Sequence, residues 1–506
     1  MYIEPNSNIT IYNNVPLDNT YNHTLYFSSL SAQNTYFHSN QNIIKYNLTA
    51  QSYQRVVKGS MRVAVKADNL YDGNYLSFQN SSFGTKWFYA FITGVEYVNN
   101  ETSEITFEID VMQTYFFDTT LKRCYVEREH STTDAAGDNI LAENVDIGDI
   151  TCNAVSRSGH FSSYVAVVAT AYDPDGQAGG YQGGLFSGVN YIAGLINTPE
   201  QVQTLLDYLD VTVDANKQDS VVSIFIMPYE FYTTGKNPSV QVSRVQKNSS
   251  LHGYTPRNKK LLTYPYNYLS VDCGNNDAIY RYEWFNGGDD YCDFELVGTV
   301  TCNPQIMLVP EAYNGVASDG FNYVEKLVMS DFPQVAWSID AFRAWLAQEA
   351  SATALQGVAS GASIAAGAMS GNPMAMAGGI MGLANTANSV ILATNRPPQA
   401  KGTNSGTIDV ASRTKDFYFR QMQISAEYAR VIDDYFDVYG YATRRVKVPN
   451  RSARPHWSYV KTNGCVLSGN APADDVRKIC GIYDNGITFW KSASEVGNYS
   501  LNNSPS

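Results

Sequence analysis

Charge is what this chain has least of. Of its 506 residues only 16% are Asp, Glu, Lys or Arg, where roughly 25% is usual. The shortage is uneven: 35 Lys and Arg stand against 48 Asp and Glu, a net charge of −13. Holding phosphates needs clustered Lys and Arg. The one basic cluster, Arg444, Arg445, Lys447, Arg451 and Arg454, reads as solvated or intersubunit surface. A nucleic-acid binder is therefore not indicated, although an acidic protein could still let DNA slide past without sticking.

The motifs of metal and nucleophile chemistry are also missing. Seven cysteines lie at 124, 152, 273, 292, 302, 465 and 480 with no C-x-x-C among them, so a zinc site or a thioredoxin-like pair has no support. An odd count in a large chain reads as free, mostly buried thiols in a reducing compartment. Six histidines are far apart, with no H-E-x-x-H and no G-x-S-x-G. Strand alternation puts Glu127 and Glu129 on one face and His130 on the other, a solvated strand end. Asp289-Asp290 could belong to a sugar-cleaving carboxylate pair, but separation in space decides that chemistry, and surface acidity is the plainer reading. The glycines at 176, 179, 180, 183, 184 and 188 lack the spacing of a phosphate loop and read as a surface loop. The N-terminus has neither a basic nor an apolar signal region, so no secretory signal is expected. The expectation is a protein with no catalytic centre and no cofactor.

What the chain does have is apolar and aromatic mass. Hydrophobic residues make up 44%, and 37 are Tyr. Tyr favours half-buried pleated surface and interfaces. The length leaves room for roughly two to four domains. The expected fold class is mainly β with some α.

Local pattern agrees. Arg62–Lys66 and Lys86–Thr93 read as strands. Ile105, Phe107, Ile109 and Val111 alternate with Thr106, Glu108 and Asp110, the period of a half-buried strand. Asn99–Ser103 supplies the turn, making 86–112 an antiparallel meander. Thr198, Pro199 and Gln201 predict a helix start, with Val202, Leu205, Leu206 and Leu209 on one face. A second helix is expected from near Ser338 through Phe342, Trp345 and Leu346. A third carries Ile424, Tyr428, Val431, Ile432, Tyr435 and Phe436, ended by Gly440. Asp484-Asn485-Gly486 between Ile479–Tyr483 and Ile487–Trp490 predicts a hairpin.

Residues 350–395 stand apart. These 46 positions contain no charged residue, thirteen Ala, seven Gly and four Met, and are bracketed by Glu349 and Arg396. Asn372-Pro373 is a turn signal that divides them into arms 350–371 and 374–395. As helices, each arm would span roughly 33 Å, about a bilayer core. Gly357/Gly361, Gly367/Gly371 and Gly378/Gly382 have the spacing that lets helix backbones approach. Three readings stay open on the residues alone: a buried helical hairpin, a disordered linker, and a loop that is hidden at first and membrane-active once released.

Two blocks of sequence carry a resemblance. One contains Leu76–Asn80, Gly84–Phe91, Phe107–Thr114 and Arg128–His130. The other contains Tyr439–Tyr441, Arg445–Lys447, Pro449-Asn450, Asp484–Thr488, Trp490 and Gly497–Ser500. Together, over roughly 50–130 and 415–500, they resemble the tail knob (distal tube) proteins of small short-tailed bacteriophages. The resemblance implies a tube-forming β-domain built from both chain ends, 1–130 and 399–506. It implies an inserted mixed knob domain at 131–345 and a long hydrophobic loop at 346–398. It further implies a homo-hexamer at the virion tail tip, assembled in the host cytoplasm. Its partners would be the lower collar or tail tube protein, a tail-tip protein, the host cell membrane, and genomic DNA passing through without sequence-specific binding. The loop would plug the tube and then insert in the membrane through Leu355, Val358, Ile364, Met369, Met374, Met376, Ile380, Met381, Leu383, Val390, Ile391 and Leu392, turning at Asn372 and Pro373. Two rival readings are a receptor-binding or cell-wall-degrading tail protein, which needs a glycan cleft, and a pore-forming toxin.

Overall fold

The computed structural model describes residues 6–51, 59–135, 137–158, 164–171, 189–196, 199–212, 218–229, 239–272, 277–285, 290–299, 305–314, 327–329, 334–336 and 417–505. The chain divides into two compact units. The first comprises residues 1–147, 254–261 and 426–506; the second comprises 148–253 and 262–425.

The first unit holds strands β1 (Ser7–Asn13), β2 (His23–Leu25), β3 (Ile44–Gln51), β4 (Ser60–Val63), β5 (Gly73–Asn80), β6 (Phe88–Asn99), β7 (Thr102–Ile109), β8 (Thr119–Leu121) and β9 (Cys124–Glu129). From the far end of the chain it adds β22 (Tyr441–Lys447), β23 (Trp457–Asn463), β24 (Leu467–Gly469) and β25 (Ile487–Trp490). Its larger sheet has the order β3-β1-β5-β6-β7-β4. The expected meander is the β6–β7 hairpin. On β7, Ser103, Ile105 and Phe107 are buried while Glu104, Thr106 and Glu108 are not, so the period-two pattern sets which face meets the core. The strand expected at 62–66 is β4, which begins two residues earlier and ends at Val63.

A second sheet, β2-β25-β23-β9-β22, joins both chain ends. His23, Thr24 and Leu25 run parallel to Thr488, Phe489 and Trp490. One aromatic core draws on both ends, with Tyr12, Phe37, Tyr75 and Tyr89 from the first part and Trp457, Tyr483, Phe489 and Trp490 from the last. Phe37 stacks on Tyr75 at 5.6 Å, and Trp457 meets Trp490 at 5.0 Å. A smaller aliphatic core, including Ile9, Ile11, Met61, Leu76, Ile105 and Phe107, is contributed by the N-terminal sheet alone.

The helices of this unit are α1 (Leu30–Ser39), α2 (Val111–Thr114), α4 (Ala426–Tyr439) and α5 (Ala473–Asn485). The α4 helix answers to the one expected over 424–436 but starts at Ala426: Ile424 closes β21, Tyr428 and Val431 are exposed, and the buried apolar face is Ala429, Ile432 and Phe436. Gly440 ends it at φ 65°. A Cβ on Gly440 would lie 2.4 Å from the Glu129 carbonyl, so both conformation and space demand glycine. The α5 helix corrects the expected hairpin. Ile479, Ile482 and Tyr483 recur at helical spacing and are buried, and Asp474 and Asp475 suit the first turn of a helix. Gly486, at φ 96°, donates its N–H to the Ile482 and Tyr483 carbonyls at 3.1 and 3.2 Å. The glycine of the Asp-Asn-Gly signal is thus a helix cap, and β25 pairs antiparallel with β23.

The second unit contains three four-stranded sheets. One is built from β10 (Ile150–Ser158), β15 (Asn267–Asp272), β16 (Asp277–Tyr280) and β21 (Phe417–Ile424). Another contains β11 (Tyr164–Thr170), β12 (Asn190–Leu195), β13 (Val221–Pro228) and β20 (Gln334–Ala336). The third contains β14 (Ser239–Gln246), β17 (Tyr291–Thr299), β18 (Gln305–Glu311) and β19 (Leu327–Met329). The helix expected after Thr198 is α3 (Pro199–Thr212), with Val202, Leu205, Leu206 and Leu209 buried. A Cβ on Gly194 of β12 would lie 2.7 Å from Leu205, so this glycine allows the helix to seat closely on the sheet. The β21 strand lies between β10 and β15, which places 417–424 with the inserted unit.

Candidate functional site

The loop residues singled out from the sequence, Leu355 through Leu392 with Asn372 and Pro373, lie outside the described residues. So do the helix expected from Ser338, the Thr198 cap and the glycine stretch 176–188. Among the described residues no helix is long and apolar enough to cross a membrane. No described group of three His, Cys, Asp or Glu is placed to hold a metal ion.

The charged groups of the first unit converge on segment 254–261 and helix α4. Asp433 and Asp437 share the buried face of α4 with Ala429, Ile432 and Phe436. Carboxylates on an apolar face require donors, because an unpaired buried charge is costly. Asp433 receives four: the Tyr254 hydroxyl at 2.6 Å, the Arg257 N–H at 2.8 Å, the Asn258 N–H at 2.9 Å and the Asn258 side-chain amide at 2.8 Å. That amide also donates to Asp437 at 2.8 Å, and the Arg257 guanidinium pairs with Asp437 at 2.7 Å. Burial still pushes the Asp437 carboxyl up to about 6, with Asn258 and Arg257 opposing it and Asp433 adding to it.

Two further sets of contacts extend this network. The Tyr441 hydroxyl donates to Asp134 at 2.6 Å and lies 2.9 Å from the Asn258 side-chain oxygen. Lys260 and Glu143, both almost fully buried, pair at 2.6 Å, and Lys260 also donates to the Leu141 carbonyl at 2.7 Å. Arg128 pairs with the other oxygen of Glu143. Each carboxylate is committed to donors, so the arrangement fastens a segment and offers no open acid–base pair. Sequence reasoning missed it. The available signal was two acids, Asp433 and Asp437, spaced four apart on the apolar face of α4.

The strand end at 127–130 corrects another expectation. Val460, Lys461 and Thr462 pair with Glu129, Arg128 and Val126, so Glu127 is a bulge and the strict alternation fails there. Glu129 and His130 are buried. Glu129 accepts from the Lys447 ammonium and from the Asn450 N–H at 3.0 Å. His130 Nδ1 accepts the Tyr459 N–H at 2.7 Å, so Nε2 carries the proton and donates to the Asp437 carbonyl at 2.9 Å. Burial, reinforced by Arg454, lowers its pKa to about 3.

The basic cluster is likewise divided. Arg454 is buried, Arg451 lies over the Phe116 ring at 4.4 Å, and Lys447 is paired. Only Arg444 and Arg445 are fully exposed members, on β22, the edge strand of the five-stranded sheet. Arg444 sits at φ 47° where the β22–β9 register shifts, a bulge that interrupts the edge. The two arginines line a cleft of about 680 Å³ together with His130, Asp138, Asn139 and Lys447. Beside it, exposed Val446 pairs across the strands with exposed Tyr125, and Val448 just after β22 is exposed as well. Asp290 is an exposed residue paired with Lys247, in keeping with surface acidity.

Comparison with known proteins puts this β-rich scaffold among the components of phage tails: residues 5–120 match the family of the caudoviral major tail protein N-terminus. The chain belongs to the tail knob protein family, because residues 230–504, more than half of it, match the C-terminal domain of tail knob protein gp9 of Bacillus phage phi29. It is 24% identical to the tail knob proteins gp9 of Bacillus phages PZA and phi29, over 98% of this chain and 98% of each relative. The solved tail knob protein gp12 of bacteriophage C1 has the same fold, with a TM-score of 0.58 at 16% identity, covering 98% of this chain and 99% of that one. The likeness expected from the two sequence blocks therefore holds along the whole chain. The protein is a structural tail knob protein.

Proposed function

We propose that the protein is the hexameric end of the tail channel, through which the genome leaves the particle. The tube wall in this reading is residues 1–130 and 399–506, less strand β21, which pairs with β10 and β15; residues 131–345 are the knob, and 346–398 a hydrophobic loop that plugs the lumen and then enters the host membrane. Its neighbours are the lower collar or tail tube protein, a tail-tip protein and further copies of itself. Assembly takes place in the host cytoplasm.

One observation carries the reading: a 46-residue stretch without a charge lies between β20 and β21 in a chain that follows tail knob proteins over 98% of its length. An apolar segment of that size is an aggregation hazard unless covered, and a lumen closed by six copies covers it. The apolar residues beside the β22 edge, Tyr125, Val446 and Val448, suit packing between copies. The net charge of −13 suits a wall that DNA passes without adhering. Negative-stain microscopy of the purified protein tests the assembly. Six-fold rings with a central channel are expected, and a monomer under all conditions overturns the reading.

A further inference from the structure

Three cysteines from distant parts of the chain meet at one place in the first unit. Cys124 opens β9, Cys465 lies between β23 and β24, and Cys480 is on α5. The backbone brings them together. Leu121 pairs with Leu467 and Tyr125 with Asn463, and the Lys122 N–H donates to the Val466 carbonyl at 2.9 Å. Residues 465 and 124 therefore occupy the same junction between two strand pairs. Asp484 fixes the third member. It accepts the Cys465 N–H at 3.0 Å and the Thr462 hydroxyl at 2.7 Å, and Cys480 precedes it by one helical turn. The Cys465 thiol lies close enough to the thiols of both Cys124 and Cys480 to interact with each. All three are free thiols; Cys124 is buried, and Cys465 and Cys480 are partly exposed. The described side chains are not placed around a common metal ion, which leaves thiol chemistry.

We propose that Cys465 and Cys480 form an oxidative modification site, closing to an intrachain disulfide when the protein meets a low-molecular-weight disulfide. One of the two thiols loses its proton and attacks the small disulfide, releasing one small thiolate and forming a mixed disulfide. The other, deprotonated in turn, displaces the second small thiolate. The protein loses two protons and two electrons, and one small disulfide becomes two small thiols. The bond encloses β24 and the first half of α5 in a covalent loop. Burial raises the pKa of both cysteines, so the thiolates are scarce at neutral pH and the reaction quickens as pH rises.

The test uses the full chain exposed to oxidised glutathione at pH 6.5 and pH 8.5, followed by alkylation, proteolysis and mass spectrometry. The expected product is a linked peptide pair containing Cys465 and Cys480, lighter by two hydrogens than the separate peptides and formed several-fold faster at pH 8.5. Cys124→Ser leaves that link in place. Exposed Cys152 reports by its own glutathionylation that the oxidant was active. Recovery of Cys465 and Cys480 as separate alkylated or glutathionylated peptides, with Cys152 modified, overturns the proposal. A link from Cys465 to Cys124 in place of Cys480 overturns the assignment of the pair.

Discussion

Asn258 and Asp433, 175 positions apart, are joined by three hydrogen bonds to the Asp433 carboxylate and carbonyl: the Asn258 N–H and side-chain amide reach Oδ1 at 2.9 and 2.8 Å, and the same amide reaches the carbonyl at 3.2 Å. This pair fastens segment 254–261 to α4. Asp433→Ala would strand the donors of Tyr254, Arg257 and Asn258. Leaving a buried donor unpaired costs about 1–3 kcal/mol, and with several donors stranded a loss of about 3–5 kcal/mol is expected in urea unfolding followed by tryptophan fluorescence. Asn258→Ala keeps the backbone donor and should cost less, about 1–3 kcal/mol. Equal, small effects from both would show that the segment is held by something else.

His130 sets a pH dependence whose sign follows from its bonds. Its folded pKa of about 3 lies below the ordinary 6.5, so between those values the unfolded chain takes up a proton that the folded one refuses. Stability from this group is complete above pH 6.5 and falls by about 1.4 kcal/mol per pH unit on acidification towards 3. Asp110 and Asp437, both raised to about 6 by burial, act in the opposite direction. Their folded forms bind protons first, so their contribution grows as pH falls from about 6 to 4. Between pH 6 and 4 the two carboxyls outweigh the one imidazole, so these three groups together favour the folded state by about 1.4 kcal/mol per unit of acidification, and their loss of stability is expected only below pH 4, where His130 alone still titrates between the two states. In the folded protein the His130 imidazole signals should not titrate between pH 7 and 4.5 by NMR; a midpoint near 6 would contradict the burial and bonding described.

Gly440 offers a test of packing at the end of α4. Gly440→Ala introduces a Cβ 2.4 Å from the Glu129 backbone at φ 65°. The left-handed conformation alone costs about 1–2 kcal/mol, and backbone cannot swing away as a side chain would. A loss of at least about 2 kcal/mol is expected by calorimetry or urea titration.

The membrane reading of 350–395 is checked by placing charge in each arm. Ile364→Asp or Leu383→Arg should cost on the order of 3 kcal/mol per arm for insertion, multiplied over six copies. Dye release from liposomes is expected to collapse in both variants while ring formation on a sizing column survives. Equal leakage from wild type and variants defeats the membrane role and leaves a buried hairpin or a passive plug.

How far residues announce structure differs from element to element. Ile105 and Phe107 on β7, or Leu205, Leu206 and Leu209 on α3, are legible because their burial is decided by spacing within one element. Asp-Asn-Gly at 484–486 was ambiguous because a glycine with positive φ serves a hairpin turn and a helix end alike; the three–four spacing of Ile479, Ile482 and Tyr483 decides it. Asp433 and Asp437 look like ordinary surface acids until Tyr254, Arg257 and Asn258 arrive from another part of the chain. Glu129 and His130 were misplaced because a bulge at Glu127 depends on the partner strand β23, which no local pattern reveals. The loop residues named from composition and resemblance stand as a proposal for the liposome assay.

The parallel pairing of β2 with β25 has a consequence for the order in which the protein can be made. The aliphatic core between Ile9 and Phe107 can close on residues that leave the ribosome first. The aromatic core cannot, because Trp457, Phe489 and Trp490 belong to it. At roughly 5–20 residues per second, β2 of the second sheet waits on the order of half a minute or more for β25. Synthesis thus imposes a delay in which a nascent chain carries Tyr12, Tyr75 and Tyr89 without the tryptophans that cover them, and it keeps the aromatic core from closing before translation is nearly over.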